Sequence, residues 1–185
     1  MVIEVALGLL DRRGLEAVTM RSVARKLGVG AMTLYTYVDG QDQLRVEMAR
    51  QGFALMNDCC EAASTLDAPG TIQQKWRGGS RAYVQFAIDN PKLYDLMFRV
   101  PPAQAGAAAS VIRGEFGRFF EKVREHQDGT HLTPAEADLK AHHHAERFWI
   151  ALHGLASLAI ADRLSVVGVD IDRLLDDLLL HIVSD

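Results

Sequence analysis

Cysteine is almost absent from this chain of 185 residues: Cys59 and Cys60 are the only two. Neighbours on a helix point in different directions and rarely bridge, so no disulfide framework is expected and a reducing compartment fits. No apolar run is long enough to span a bilayer, and the N-terminus lacks the basic and small-residue marks of a signal peptide, so a cytoplasmic protein is expected. No β-rich run and no internal repeat occurs. A large charge imbalance is also missing, the formal net charge being −4. With 49% hydrophobic and 24% charged residues, the composition excludes wholesale disorder. The length suits one to one and a half domains with a sizeable core.

Chemistry-bearing motifs are equally sparse. There is no phosphate-cradling glycine loop, no serine or cysteine nucleophile beside a base, and no Glu-x-x-His pair of the kind a diiron bundle needs. Neither an enzyme nor a bound cofactor is expected. The run His142-His143-His144 places Asp138, His142 and Glu146 at i, i+4 and i+8, a possible edge of a zinc or nickel site. Three adjacent histidines point three ways, however, and no second ligand set accompanies them, so no metal is expected.

What is present is helical periodicity. Ile3, Ala6, Leu7 and Leu10 share one helix face that Gly14 can close, and Met20, Val23, Ala24 and Leu27 repeat the pattern after Thr19, a good N-cap. Gly28 breaks that helix, and a short one from Gly30 to Val38 follows with Leu34 and Val38 stacked. Asp39-Gly40 is a turn, and a long helix is expected from Gln41 to Ser64. Further helices are read from Thr71 to Asn90, Lys92 to Phe98, Ala107 to Gln127, Pro134 to Leu164, and Asp170 to His181. Pro69-Gly70 and the stretch from Pro101 to Gly106 read as connections. The fold class expected is all-α.

Charge is unevenly spread. The first 45 residues hold six bases against five acids, the remainder fourteen against nineteen, and Thr19 to Tyr37 contains Arg21, Arg25 and Lys26 with no acid. A local basic patch is enough for a small nucleic-acid contact. Ala24, Gly28 and Leu34 supply the small residue, the turn glycine and the branched filler that a helix-turn-helix crossing needs. On the second helix, hydroxyls of Thr33, Tyr35 and Tyr37 can donate to phosphates, while Ala31, Met32 and the Thr36 methyl can touch thymine methyls. Gly30 allows close backbone approach, and one of the two tyrosine rings is expected to be partly buried.

From Ala6 through Leu44 the sequence resembles the DNA-binding head of the tetracycline-repressor (TetR) family. The resemblance rests on Gly14, Val18-Thr19-Met20-Arg21, Val23-Ala24, Leu27-Gly28-Val29 and Leu34-Tyr35-Thr36-Tyr37-Val38. It implies phosphate contacts from Thr19, Thr33, Tyr35 and Tyr37 and base contacts from Gly30, Ala31, Met32 and Thr36, with Arg21, Ser22 and Gln41 completing the expected interface. Gln41 departs from the family, which usually has a lysine opening that helix. Asp39 and Asp42 flank it, so modest affinity is expected unless a basic arm ahead of the first helix compensates. The resemblance implies a helix-turn-helix DNA-binding domain at 1–45 and a helical regulatory domain at 46–185.

That second domain would bind a small effector and dimerise. Asn90 to Phe98, with Trp149, His153 and Gly154, is similar to a subgroup whose C-terminal domain is named for a Trp-His-Gly motif. Small residues (Ala151, Gly154, Ala156, Ser157, Ala159) and a leucine-rich last helix suit an intersubunit four-helix bundle. Candidates for a largely apolar effector pocket are Trp76, Tyr83, Phe86, Tyr94, Met97, Phe98, Phe116, Phe120, Phe148, Trp149 and His153. The expected function is a homodimeric, ligand-responsive transcription regulator, a repressor that binds a pseudo-palindromic double-stranded DNA operator. The alternative is a dimeric helical adaptor, or a small-molecule or metal-binding protein, that does not bind DNA.

Overall fold

The computed structural model of the chain describes residues 1–65, 71–99, 105–125 and 133–183. Ten α-helices occur among them: α1 (Val2–Arg13), α2 (Met20–Leu27), α3 (Ala31–Leu34), α4 (Gly40–Thr65), α5 (Ile72–Asp89), α6 (Pro91–Arg99), α7 (Ala105–Glu125), α8 (Pro134–Ile160), α9 (Arg163–Val167) and α10 (Ile171–Val183). A single 3-10 turn, Leu15–Ala17, joins α1 to α2. No strand occurs among the described residues, and the class is all-α. No described helix is long and apolar enough to cross a membrane. The connection expected at Pro69-Gly70 and most of that at Pro101 to Gly106 lie outside the described residues, although Ala105 and Gly106 already belong to α7.

The chain divides into two compact units. The first joins Met1–Leu55 to Asn90–Ile112. Its interior holds Ala6, Leu10, Val18, Val23, Leu34, Leu44, Met48 and Met97, each large one contributing about 1.5–3 kcal/mol when fully covered. Helix α6 packs on α1, where Lys92 Nζ donates to the Asp11 carbonyl, a cation capping the last turn of a helix whose dipole favours it. The Phe98 ring stands edge-on to Phe53 at 5.3 Å and 4.8 Å from Tyr94.

The second unit joins Met56–Asp89 to Arg113–Asp185. Helix α5 packs chiefly on α8 and then on α10, around Val84, Val123, Phe148, Leu175 and Leu179. Phe148 stacks on Phe119 at 5.7 Å, and Trp76 meets both rings edge-on. At Gly78 a Cβ would stand 2.7 Å from the Ala63 carbonyl oxygen, so only glycine lets α5 approach the end of α4 this closely. Ion pairs rim the packing: Arg77 to Asp176 at 3.0 Å, Arg81 to Asp172 at 3.2 Å and Lys122 to Glu61 at 2.9 Å. Exposed pairs of this sort are worth about 0–1 kcal/mol each, so apolar burial dominates.

Two helices are shorter than expected: α3 is helical only over Ala31–Leu34 rather than from Gly30 to Val38, and α8 ends early. α8 stops at Ile160 rather than Leu164, because Asp162 adopts a left-handed backbone (φ 52) and accepts the Ser165 hydroxyl at 2.8 Å, starting α9 in a new direction. Its beginning is capped by Thr133, with Pro134 at the first helical position. Glu136 N donates to Thr133 Oγ1, and Glu136 Oε2 accepts from Thr133 N at 2.9 Å.

Candidate nucleic-acid interface

The head is assembled from caps. Thr19 and Ser22 form a reciprocal capping box, Ser22 N donating to Thr19 Oγ1 at 3.1 Å and Thr19 N to Ser22 Oγ at 2.9 Å. The Ser22 hydroxyl in turn donates toward the Ala17 and Thr19 carbonyls. Thr19 itself is exposed, and its hydroxyl oxygen accepts from Ser22 N. α2 closes at Gly28, whose φ of 73° is left-handed and suits glycine. Val29 N returns to the Ala24 carbonyl at 3.0 Å and completes the turn.

Helix α3 is one turn long and continues as hydrogen-bonded turns to Val38. Leu34 and Val38, 1% and 6% exposed, fill the crossing. Their burial fixes everything else on the segment outward, and Gly30, Ala31, Met32, Thr33, Tyr35, Thr36 and Tyr37 are all exposed. Met32 is 80% exposed, Tyr35 51% and Tyr37 72%. The expectation that one tyrosine ring is partly buried is therefore corrected: only the i, i+4 pair points inward, and both tyrosines flank it. Thr36 Oγ1 donates to the Thr33 carbonyl at 2.7 Å, so its hydrogen is spent and its methyl is the group it offers.

Arg21, Arg25 and Lys26 are exposed on α2 and have no ion pair among the described residues. Asp42, by contrast, is partly neutralised by Arg45 at 3.9 Å. Gln41 occupies a different place from the rest. Its Oε1 accepts from Met20 N at 3.1 Å and its Nε2 donates to the Val18 carbonyl, so its amide grips the backbone on both sides of Thr19. Sequence reasoning missed this grip, since a spacing of 21 and 23 residues leaves no local signal.

The residues expected to line an effector pocket fall in two groups. Tyr94, Met97 and Phe98 lie on α6 in the first unit, Tyr94 and Met97 buried. Trp76, Tyr83, Phe86, Phe116, Phe120, Phe148, Trp149 and His153 lie in the second, with Tyr83, Phe86 and Phe148 buried in its interior. There Phe116 stands edge-on to Trp149 at 5.7 Å, and Trp149 stacks on His153 at 6.2 Å. Burial pushes the His153 imidazole below its ordinary 6.5. Phe119, between Trp76 and Phe148, was not anticipated, although it lies three residues after Phe116 on the same helix. A shallow groove of about 270 Å³ in this unit is lined by Gln74, Arg77, Gly78 and Arg81, none of them in the aromatic set.

His142 sits 3.5 Å from Glu146 and edge-on to Phe116 and Phe120. No cluster of three metal-ligating side chains occurs among the described residues. Both cysteines are free thiols.

Comparison with known proteins bears on both halves. A family model described as "Bacterial regulatory proteins, tetR family" matches residues 2–48, and one described as "Tetracyclin repressor-like, C-terminal domain" matches residues 76–182. An uncharacterized HTH-type transcriptional regulator of Mycobacterium tuberculosis is 25% identical over 194 residues, covering 99% of this chain and 78% of that protein. Another, of Bacillus subtilis, is 28% identical over 95 residues; the match takes in 51% of this chain and 48%, about half, of the relative. A solved structure of a Rhodococcus sp. RHA1 protein of unknown function has the same fold, with a TM-score of 0.73 at 21% identity, over 99% of this chain and 92% of that one.

Proposed function

This chain belongs to the TetR family of bacterial regulatory proteins, and from that premise we propose that it is a ligand-responsive transcription regulator that represses by occupying a pseudo-palindromic operator as a homodimer. It is no enzyme in this reading. Residues 1–45 read DNA and residues 46–185 dimerise and bind the effector. The observation that carries the reading is the outward face of α3 and the turns after it. Met32, Tyr35 and Tyr37 are large, half or more exposed, and held at fixed positions by the buried Leu34 and Val38. Side chains of this kind exposed to water contribute nothing to the core, and a rigid, partly apolar hydroxyl-bearing helix suits a major groove.

In the complex Thr19, Thr33, Tyr35 and Tyr37 bind phosphates, Arg21 and the α2 turn around Ser22 approach the same strand, and Gly30, Ala31, Met32 and Thr36 face base edges. Dimerisation uses α8 and α10. Ile150 and Leu158 on α8 and Leu180 on α10 are exposed apolar side chains, and the position of a Cβ on Gly154 is open, leaving a small-surfaced stripe that a second copy can approach. Leu175 and Leu179, in contrast, are spent inside the chain. The effector is largely apolar and bound among the aromatic residues of the regulatory part. Its binding would favour a spacing of the two heads that no longer fits successive major grooves.

The test is selection of random double-stranded DNA by the intact protein at two salt concentrations, followed by Tyr35→Ala. A palindrome should emerge whose affinity falls steeply with salt, and Tyr35→Ala should weaken it by about tenfold to a hundredfold. A folded dimer that enriches nothing at either salt favours the adaptor without DNA binding.

A further inference from the structure

We propose that Gln41 is a positioning residue for the DNA contact, acting through Thr19. The inference rests on the DNA-binding reading above. It stands on a two-ended grip: Gln41 Oε1 takes the Met20 amide hydrogen and Gln41 Nε2 donates to the Val18 carbonyl. These two groups bracket Thr19, the residue whose hydroxyl caps α2 and faces solvent. A side-chain amide accepts at its oxygen and donates at its nitrogen whatever the pH, as these two partners require. A lysine at 41 can donate to the Val18 carbonyl but offers nothing to the Met20 amide, one of the orphan donors of the first turn of α2.

The consequence is a division of labour. With its Oε1 and one Nε2 hydrogen engaged, Gln41 is held to the backbone beside Thr19, and it carries no charge to release a counterion. It fixes the peptide groups on either side of Thr19, so the Thr19 hydroxyl stands ready for a phosphate without further ordering. Preorganisation of this kind raises affinity by lowering the cost of ordering on binding, with no new contact. Because Thr19 lies within its own capping box with Ser22, the grip is a second, long-range constraint on a residue already locally held.

The test uses the full chain and three variants: Gln41→Met, which keeps the volume and removes the amide, Thr19→Ala, and the two combined. Amide exchange without DNA reads the grip directly: in Gln41→Met the Met20 amide should exchange about tenfold faster than in the native chain, while amides at the centre of α4 are unchanged. On the selected operator, Gln41→Met should bind about tenfold more weakly, with the slope of log affinity against log salt unchanged because no charge is lost. The double variant should bind no more than about twofold more weakly than Thr19→Ala alone, as expected of groups acting as one unit. Additive losses, or an unaltered Met20 amide, overturn the proposal. Should Gln41→Met fold poorly, Gln41→Glu, whose carboxylate cannot donate to the Val18 carbonyl, should also expose the Met20 amide to faster exchange; native protection in that variant counts against the grip. If the native chain selects no operator, the DNA-binding reading and the positioning role fall together, and the amide exchange still reports whether the grip exists.

Discussion

The two adjacent thiols show how far one residue's surroundings separate it from its neighbour. Cys59 is exposed, whereas burial pushes the Cys60 thiol up from 9.0 to about 12, with the neighbouring Cys59 adding to the rise and Lys122 opposing it. The thiolate is the reactive form, so iodoacetamide at mildly alkaline pH should modify Cys59 and spare Cys60, as peptide mass mapping would read. Cys60 keeps its proton in the folded chain at a pH where the unfolded chain releases it. Stability is therefore fully present below about pH 9 and declines as pH rises from there toward 12. Cys60→Ala should flatten that alkaline decline in urea titrations. The adjacency of the pair is plain in the sequence; which of them is covered is not, because burial belongs to the helix packed over it.

Elements depend on a different kind of information. The caps at Thr19 and Gly28 were legible because capping is local: the partners lie within a few residues, and the structure forms both of them. The end of α8 was not, since nothing in Ala161-Asp162 forbids a helix and only the left-handed backbone at Asp162 ends it. The α4 to α5 approach is similarly hidden. Glycines at 78 and 79 in a helix look like a weakness until the Ala63 carbonyl is found against the first and the Ser64 hydroxyl against the second. Gly78→Ala raises helix propensity, yet it should destabilise the protein by about 1–3 kcal/mol, because the added methyl meets backbone that cannot turn aside. A thermal midpoint equal to or above that of the native chain would show that the two helices can part without cost.

At the scale of the whole molecule, the apolar side chains left on α8 and α10 decide the assembly. Replacing Ile150 and Leu180 with aspartate puts two charges on the proposed dimer face while touching no buried residue. The doubly substituted chain should sediment as a folded monomer and lose operator binding, because two heads are needed for two half-sites. A dimer unaffected by both changes would place the interface elsewhere. The sequence by itself determined the helices, their caps and the outward chemistry of the head, since these follow from periodicity and from contacts a few residues apart. Only the tertiary structure decided that both tyrosines are exposed, that Gln41 grips the backbone beside Thr19, and that Asn90–Ile112 groups with the head. Each depends on residues tens of positions apart meeting in space, and periodicity says which face of a helix is covered but not by what.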